Sequence, residues 1–173
     1  MFSRRNCLKW MLGASSVALS PGLSAQTKPP GPQDKVLQLL VQPADKKTAP
    51  RVVAEFDLAG LKKLPQQTFA TNTPWFKQPV KFTGPLMRDV LATAKLQGTT
   101  LIAVALDEYK AKIPFSDAGR FDVILAHSIN GEQMTAKNKG PLFIVYPYDS
   151  QKELQTVLYY QRSVWQLKAL IVE

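Results

Sequence analysis

The sequence predicts an α+β fold, a mixed β-sheet with a few helices inserted singly, and three observations carry that expectation. Short β-rich runs outnumber helical ones. The helical stretches fall between them without a regular βαβ rhythm. Two runs, Thr99–Leu106 and Pro141–Tyr146, are almost wholly apolar, as strands covered on both faces are.

The elements follow in order. Val36–Val41 is a strand, Asp45–Pro50 a polar turn region, and Arg51–Phe56 a second strand, after which Asp57 is placed to cap a short helix through Leu61. The Thr-rich stretch Gln66–Thr73 reads as a strand running into the loop Pro74–Pro79. Pro85 suits a first helical position after Gly84. Leu86, Met87, Val90, Leu91 and Ala94 then share one helical face, and Gly98 closes that helix.

Beyond the buried strand Thr99–Leu106, Asp107–Lys110 turns the chain into Lys110–Phe115, and a helical turn near Ser116–Gly119 precedes a strand over Phe121–Ile129. Asn130-Gly131 is a two-residue hairpin signal, because both residues tolerate positive φ, and it leads into Glu132–Thr135. After Pro141–Tyr146, Leu154, Val157 and Leu158 sit at helical spacing within Gln151–Tyr160, and Val164–Val172 alternates as a final strand.

At the N-terminus, Ser3-Arg4-Arg5-Asn6-Cys7-Leu8-Lys9 and the short apolar run Trp10–Leu19 resemble a twin-arginine export signal. The run is far shorter than the roughly 20 apolar residues that span a bilayer. The expected organisation is a signal over residues 1–25, a Pro- and Gly-rich linker over 26–34 and one folded domain over 35–173, with the periplasm as destination. An uncleaved form tethered to the membrane by its N-terminus is the lesser alternative, since Leu23 is large for its place before the cut after Ala25.

Cleavage after Ala25 removes three basic residues, no acid and Cys7, the one cysteine of the chain. The remaining domain then has no disulfide and no thiolate for a metal. With 22 Lys and Arg against 13 Asp and Glu the chain is strongly basic. Its lysines come as scattered pairs without interleaved aromatics, which speaks for a solvated surface and against nucleic acid. One histidine and no cysteine leave only carboxylates to complete a tetrahedral zinc site, which speaks against zinc, and Asp122, His127 and Ser128 share one strand and cannot converge as a hydrolytic triad.

From Phe82 onward the order of short blocks resembles the oxidoreductase molybdopterin-binding domain, the sulfite oxidase-like fold. The likeness rests on Phe82-Thr83-Gly84-Pro85-Leu86 with Asp89-Val90-Leu91, on Ala105–Tyr109 followed by Ile113-Pro114, on Leu125-Ala126 with Asn130-Gly131, on Gly140-Pro141-Leu142 running to Val145-Tyr146-Pro147, and on Trp165 before the last strand. The resemblance implies that catalytic members ligate molybdenum with a cysteine thiolate from a loop before the first block. Here that region reads Thr71-Asn72-Thr73-Pro74-Trp75. Neutral Thr and Asn are poor substitutes for a soft anionic sulfur. The pattern therefore looks like the small, stand-alone, cysteine-less branch: no catalytic residue and no metal ligand is assigned, no cofactor is expected, and molybdopterin stays possible through the family. The expected role is a small-ligand-binding or sensory accessory module whose partner is a small molecule or a membrane-bound sensor or redox protein. The alternative is a molybdopterin-dependent oxidoreductase with a non-thiolate metal ligand.

The candidate ligand pocket comprises Thr71, Thr73, Trp75, Asp107, Tyr109, Arg120, His127, Tyr148 and Arg162. Trp75 and Phe76 lie on a Pro-flanked loop and serve either as a ligand wall or as a plug over the sheet. Asp107, Tyr109 and Arg120 flank turns at strand ends, where ligand contacts gather in mixed sheets. His127 alternates with Val123 and Leu125 and so faces apolar neighbours. Tyr146, Tyr148, Tyr159, Tyr160 and Arg162 form an aromatic and basic group suited to a planar or anionic ligand, with Tyr146 and Trp165 equally suited to the core.

Overall fold

Alternation decides the first element of the computed structural model, which describes residues 35–173: in β1 (Lys35–Val41) Leu37 and Leu39 are fully buried while their neighbours are not. β2 (Arg51–Asp57) pairs antiparallel with it. Asp57 then caps α1 (Leu58–Lys63), its Oδ1 accepting the Gly60 N–H at 2.6 Å. β3 (Gln66–Thr71) leads through the Pro74–Pro79 loop to β4 (Val80–Pro85), α2 (Met87–Thr93) and β5 (Thr100–Ala105). β6 (Lys110–Pro114), α3 (Asp117–Arg120), β7 (Ile124–Ala126), β8 (Ser128–Ile129) and β9 (Glu132–Gln133) follow. The chain continues through β10 (Phe143–Val145), two 3₁₀ turns at Tyr148–Ser150 and Lys152–Leu154, α4 (Val157–Arg162) and β11 (Leu167–Val172).

Three sheets result. The largest has the order β2-β1-β11-β5-β6, with β11 parallel to β1 and every other pair antiparallel. The second has the order β3-β4-β8-β9, and the third pairs β10 with β7. The mixed α+β class read from the sequence is what the chain adopts. Leu37, Leu101 and Ile113 of the large sheet, Phe82 of β4, Met87 and Leu91 of α2, and Leu125 and Phe143 of the small sheet belong to one continuous buried cluster. β4 passes so close to β7 that a Cβ on Gly84 would lie 2.1 Å from the Leu125 carbonyl oxygen, so position 84 admits glycine alone.

Several elements depart from the sequence reading. β4 is a strand that the reading left unassigned: Val80 and Phe82 alternate inward over only five residues between two prolines. Pro85 ends that strand instead of opening the helix, which begins at Met87. Gly98 does not close α2, which ends at Thr93; the turn is made by Lys95 with φ of 51°. The expected strand over Phe121–Ile129 divides at His127, whose N–H donates to the Thr83 carbonyl and whose carbonyl accepts the Met134 N–H, so the chain changes sheets there. The helix expected over Gln151–Tyr160 divides as well. Gln155 leaves helical geometry, so buried Leu154 does not share a face with Val157 and Leu158, both exposed. The hairpin at Asn130-Gly131 forms as expected, with φ of 52° and 88°. The signal and linker expectations fall outside the described residues.

Candidate functional site

At the end of β3 the backbone delivers Thr71, which is buried and whose Oγ1 accepts the Asp149 N–H at 3.2 Å. Asn72 returns the tie, donating from its backbone N and its Nδ2 to Asp149 Oδ2 at 2.7 and 3.1 Å. Thr73 is also buried, and its Oγ1 accepts the Trp75 N–H at 3.4 Å. This stretch is therefore committed to holding the loop on the 3₁₀ turn at Tyr148–Ser150. The Thr71 and Thr73 side-chain oxygens are neutral and already hydrogen-bonded.

The loop so held presents Trp75. Its ring meets Phe143 at 5.3 Å, Trp165 at 5.7 Å, Tyr160 at 6.0 Å and Tyr148 at 6.3 Å between centroids, all at steep angles. Edge-to-face contacts of this kind add to the area term of burial. Trp75 is half-buried, because its exposed side bounds a cavity of about 350 Å³. The indole thus anchors the loop among neighbouring rings and bounds the cavity.

Three segments close the cavity around Trp75. The β5–β6 turn supplies Asp107 and Tyr109, α4 supplies Val157, Tyr160 and Gln161, and the approach to β11 supplies Trp165. Asp107 Oδ1 accepts the Tyr109 N–H at 3.0 Å, and the Tyr109 hydroxyl donates to the Gln161 carbonyl at 3.1 Å, tying the turn to α4. Val157 is 67% exposed, Leu106 50% and Tyr109 48%, so the rim continues as an apolar patch on the surface. Trp165 carries the Lys139 ammonium 3.9 Å from its ring centroid, and burial there holds the Lys139 pKa below the usual lysine range.

Of the nine residues singled out in the sequence, Trp75, Asp107 and Tyr109 meet at this cavity, Tyr148 packs against Trp75, and Thr71 and Thr73 hold the loop that carries it. Three lie elsewhere. Arg120 donates to both Glu153 carboxylate oxygens at 2.7 and 3.0 Å and lines a second cleft with Gln67 and Phe69. Arg162 turns inward, donates to Asp117 Oδ2 at 2.9 Å and lines a separate cleft with Lys110 and Lys112. His127 Nε2 donates to Gln66 Oε1 at 2.9 Å, leaving buried Nδ1 without a partner among the described residues. Burial first, and the Lys62 charge second, hold the His127 pKa below the ordinary histidine value.

Tyr148 donates to or accepts from Ser163 in a short contact, and burial raises its phenol pKa. The sequence reading passed over Val157, Gln161 and Trp165 as cavity residues, although Val157, Tyr160 and Gln161 stand at the spacing of one helical face.

A molybdenum-pterin group would call for a soft anionic ligand to the metal and a cationic partner for its phosphate. No cluster of three or more His, Cys, Asp or Glu able to hold a metal occurs among the described residues. The Thr71–Trp75 region offers bonded neutral oxygens and an indole where a soft anion is needed, and no Lys or Arg lines the adjoining cavity to meet a phosphate. The residues present do not fit the metal group.

The model of the oxidoreductase molybdopterin-binding domain matches residues 46–156. With most of the chain matched, this protein belongs to that family. Among solved structures it is similar to the sulfane dehydrogenase SoxCD from Paracoccus pantotrophus, with a TM-score of 0.56, 19% identity, and coverage of 81% of this chain and 38% of that one. The chain thus spans well under half the length of that neighbour, and the likeness is one of fold. No curated protein matches it in sequence. The family match ends at Thr156, so the α4 residues and Trp165 that complete the cavity lie beyond it.

Proposed function

We propose that this chain is a non-catalytic small-ligand-binding module on a molybdopterin-binding-domain scaffold, exported to the periplasm. A membrane-bound sensor or redox protein is the partner class that this reading implies. One observation carries it: where catalytic members offer a thiolate, Thr71 and Thr73 spend their oxygens on the loop itself, and Trp75 bounds an open apolar cavity. A cavity of about 350 Å³ lies at the small end of the range that drug-sized ligands occupy. Export is supported by the Ser3–Lys9 pattern alone.

The test is the molybdenum and pterin content of protein recovered from the periplasm of a molybdopterin-producing host, followed by a thermal-shift screen of small molecules. Absence of both with a ligand-dependent rise in Tm is the expected result. Near-stoichiometric molybdenum and pterin would overturn the reading in favour of an oxidoreductase with a non-thiolate ligand. Failure of the protein to reach the periplasm would remove the export part alone.

A further inference from the structure

Resting on the binding-module reading, we propose that the cavity between Trp75, Tyr109, Tyr160 and Trp165 takes a small organic cation, an alkylated ammonium with an apolar body. Four aromatic side chains line one small space, and within it Trp75 meets Tyr160 and Trp165 at steep angles. Such walls attract a cation through the ring quadrupole, Trp most strongly, and they favour an ammonium whose charge is spread over alkyl groups that are cheap to desolvate. Trp165 already acts this way inside the protein, holding the Lys139 ammonium over its ring.

Charge points the same way. The chain carries 22 basic against 13 acidic residues, yet among the described residues lining this cavity none is Lys or Arg and the one acidic side chain is Asp107, with the Lys139 ammonium lying against the Trp165 ring. Its Oδ1 is fixed by the Tyr109 N–H, and Oδ2 has no hydrogen-bond partner among the described residues. A fixed carboxylate at the rim of an aromatic box supplies the counter-charge for a cation and repels an anion.

A neutral polyhydroxylated ligand finds few anchors. The Ser163 hydroxyl is spent on the Tyr159 carbonyl and the Tyr148 phenol, and the Tyr109 hydroxyl on the Gln161 carbonyl.

The experiment is a titration of the whole chain, followed by the indole N–H signals of Trp75 and Trp165, with choline and with its neutral isostere 3,3-dimethylbutan-1-ol. Choline is expected to bind about tenfold more tightly, the size of a partly desolvated cation–π contact. Asp107→Asn is expected to weaken choline about threefold, as loss of an exposed charge partner does, while leaving the isostere and Tm unchanged. Equal or tighter binding of the isostere would overturn the cation preference and leave the binding-module reading intact. No perturbation of either indole by either probe up to about 10 mM would overturn the inference outright, since even millimolar affinity is then excluded. The binding-module reading would then stand or fall on its own metal analysis and ligand screen.

Discussion

The two faces of α4 use the same residue types to opposite ends. Inward, Arg162 Nη1 and the Tyr146 hydroxyl both donate to Asp117 Oδ2 at 2.9 Å, and Tyr159 packs on Phe121 at 5.6 Å and under the Arg162 guanidinium at 5.0 Å. Outward, Tyr160 and Gln161 join Trp75, Trp165 and Asp107 around open space. On the inner face a carboxylate, a cation and phenols satisfy one another in a dry setting, where burial and the neighbouring Asp117 charge raise the Tyr146 phenol pKa, so it stays a donor. On the outer face Asp107 Oδ2 has no hydrogen-bond partner among the described residues, and the rings line open space. Function, on this comparison, is sought where polar and aromatic groups are not already consumed by one another.

Three measurements break or sharpen the contrast. The largest effect is expected for Asp117→Ala, which leaves the half-buried Arg162 without its carboxylate and should cost about 3 kcal/mol in urea unfolding. A loss below about 1 kcal/mol would mean that water reaches the inner face and that the two faces are not so different. Next is Trp75→Ala. A fully buried Trp truncation costs about 3–5 kcal/mol, and half-burial reduces this to about 2 kcal/mol, with the cavity losing one wall and its ligand response. Ligand binding that survives this change would move the site away from the Thr71–Trp75 loop.

The smallest effect concerns pH. His127, the one histidine of the chain, lies on neither face, and its folded pKa is below the unfolded value of 6.5. The unfolded state therefore binds the extra proton first, so the stability contributed by neutral His127 is present above about pH 6.5 and is lost as pH falls below it. Urea midpoints in that window should decline for the wild type and flatten for His127→Gln. An unchanged decline in the variant would assign it to other groups.

Much of the fold was legible because hydrophobic period alone fixes it: Leu37 and Leu39 in β1, the apolar run of β5, and Asn130-Gly131 at the turn. What period does not show is where a strand changes partner. Nothing in Val123-Ile124-Leu125-Ala126-His127 distinguishes the residue at which the chain leaves β10 for β4, because that break is set by the Thr83 carbonyl across space. The site was half legible for a related reason. Trp75, Asp107 and Tyr109 announced themselves as costly or strand-end residues, but the inward turn of Arg162 depends on Asp117, 45 positions earlier. Trp165, read as a candidate for the core, is 36% exposed, since it sits at an isolated bridge to Phe143 before β11 begins.

The position of β11 also bears on how the molecule comes into being. The last strand stands in the middle of the five-stranded sheet, parallel to the first, joining Gln38 to Ala169 and Val41 to Val172. Until residue 172 has left the ribosome, β2-β1 and β5-β6 are two separate ribbons with their inner edges bare. Such late, long-range closure is slow and leaves sticky edges exposed while it waits. Synthesis thus has a vulnerable interval that lasts until β11 has emerged, and a nascent chain stalled before Leu167 is expected to be held by chaperones or degraded, not partly folded.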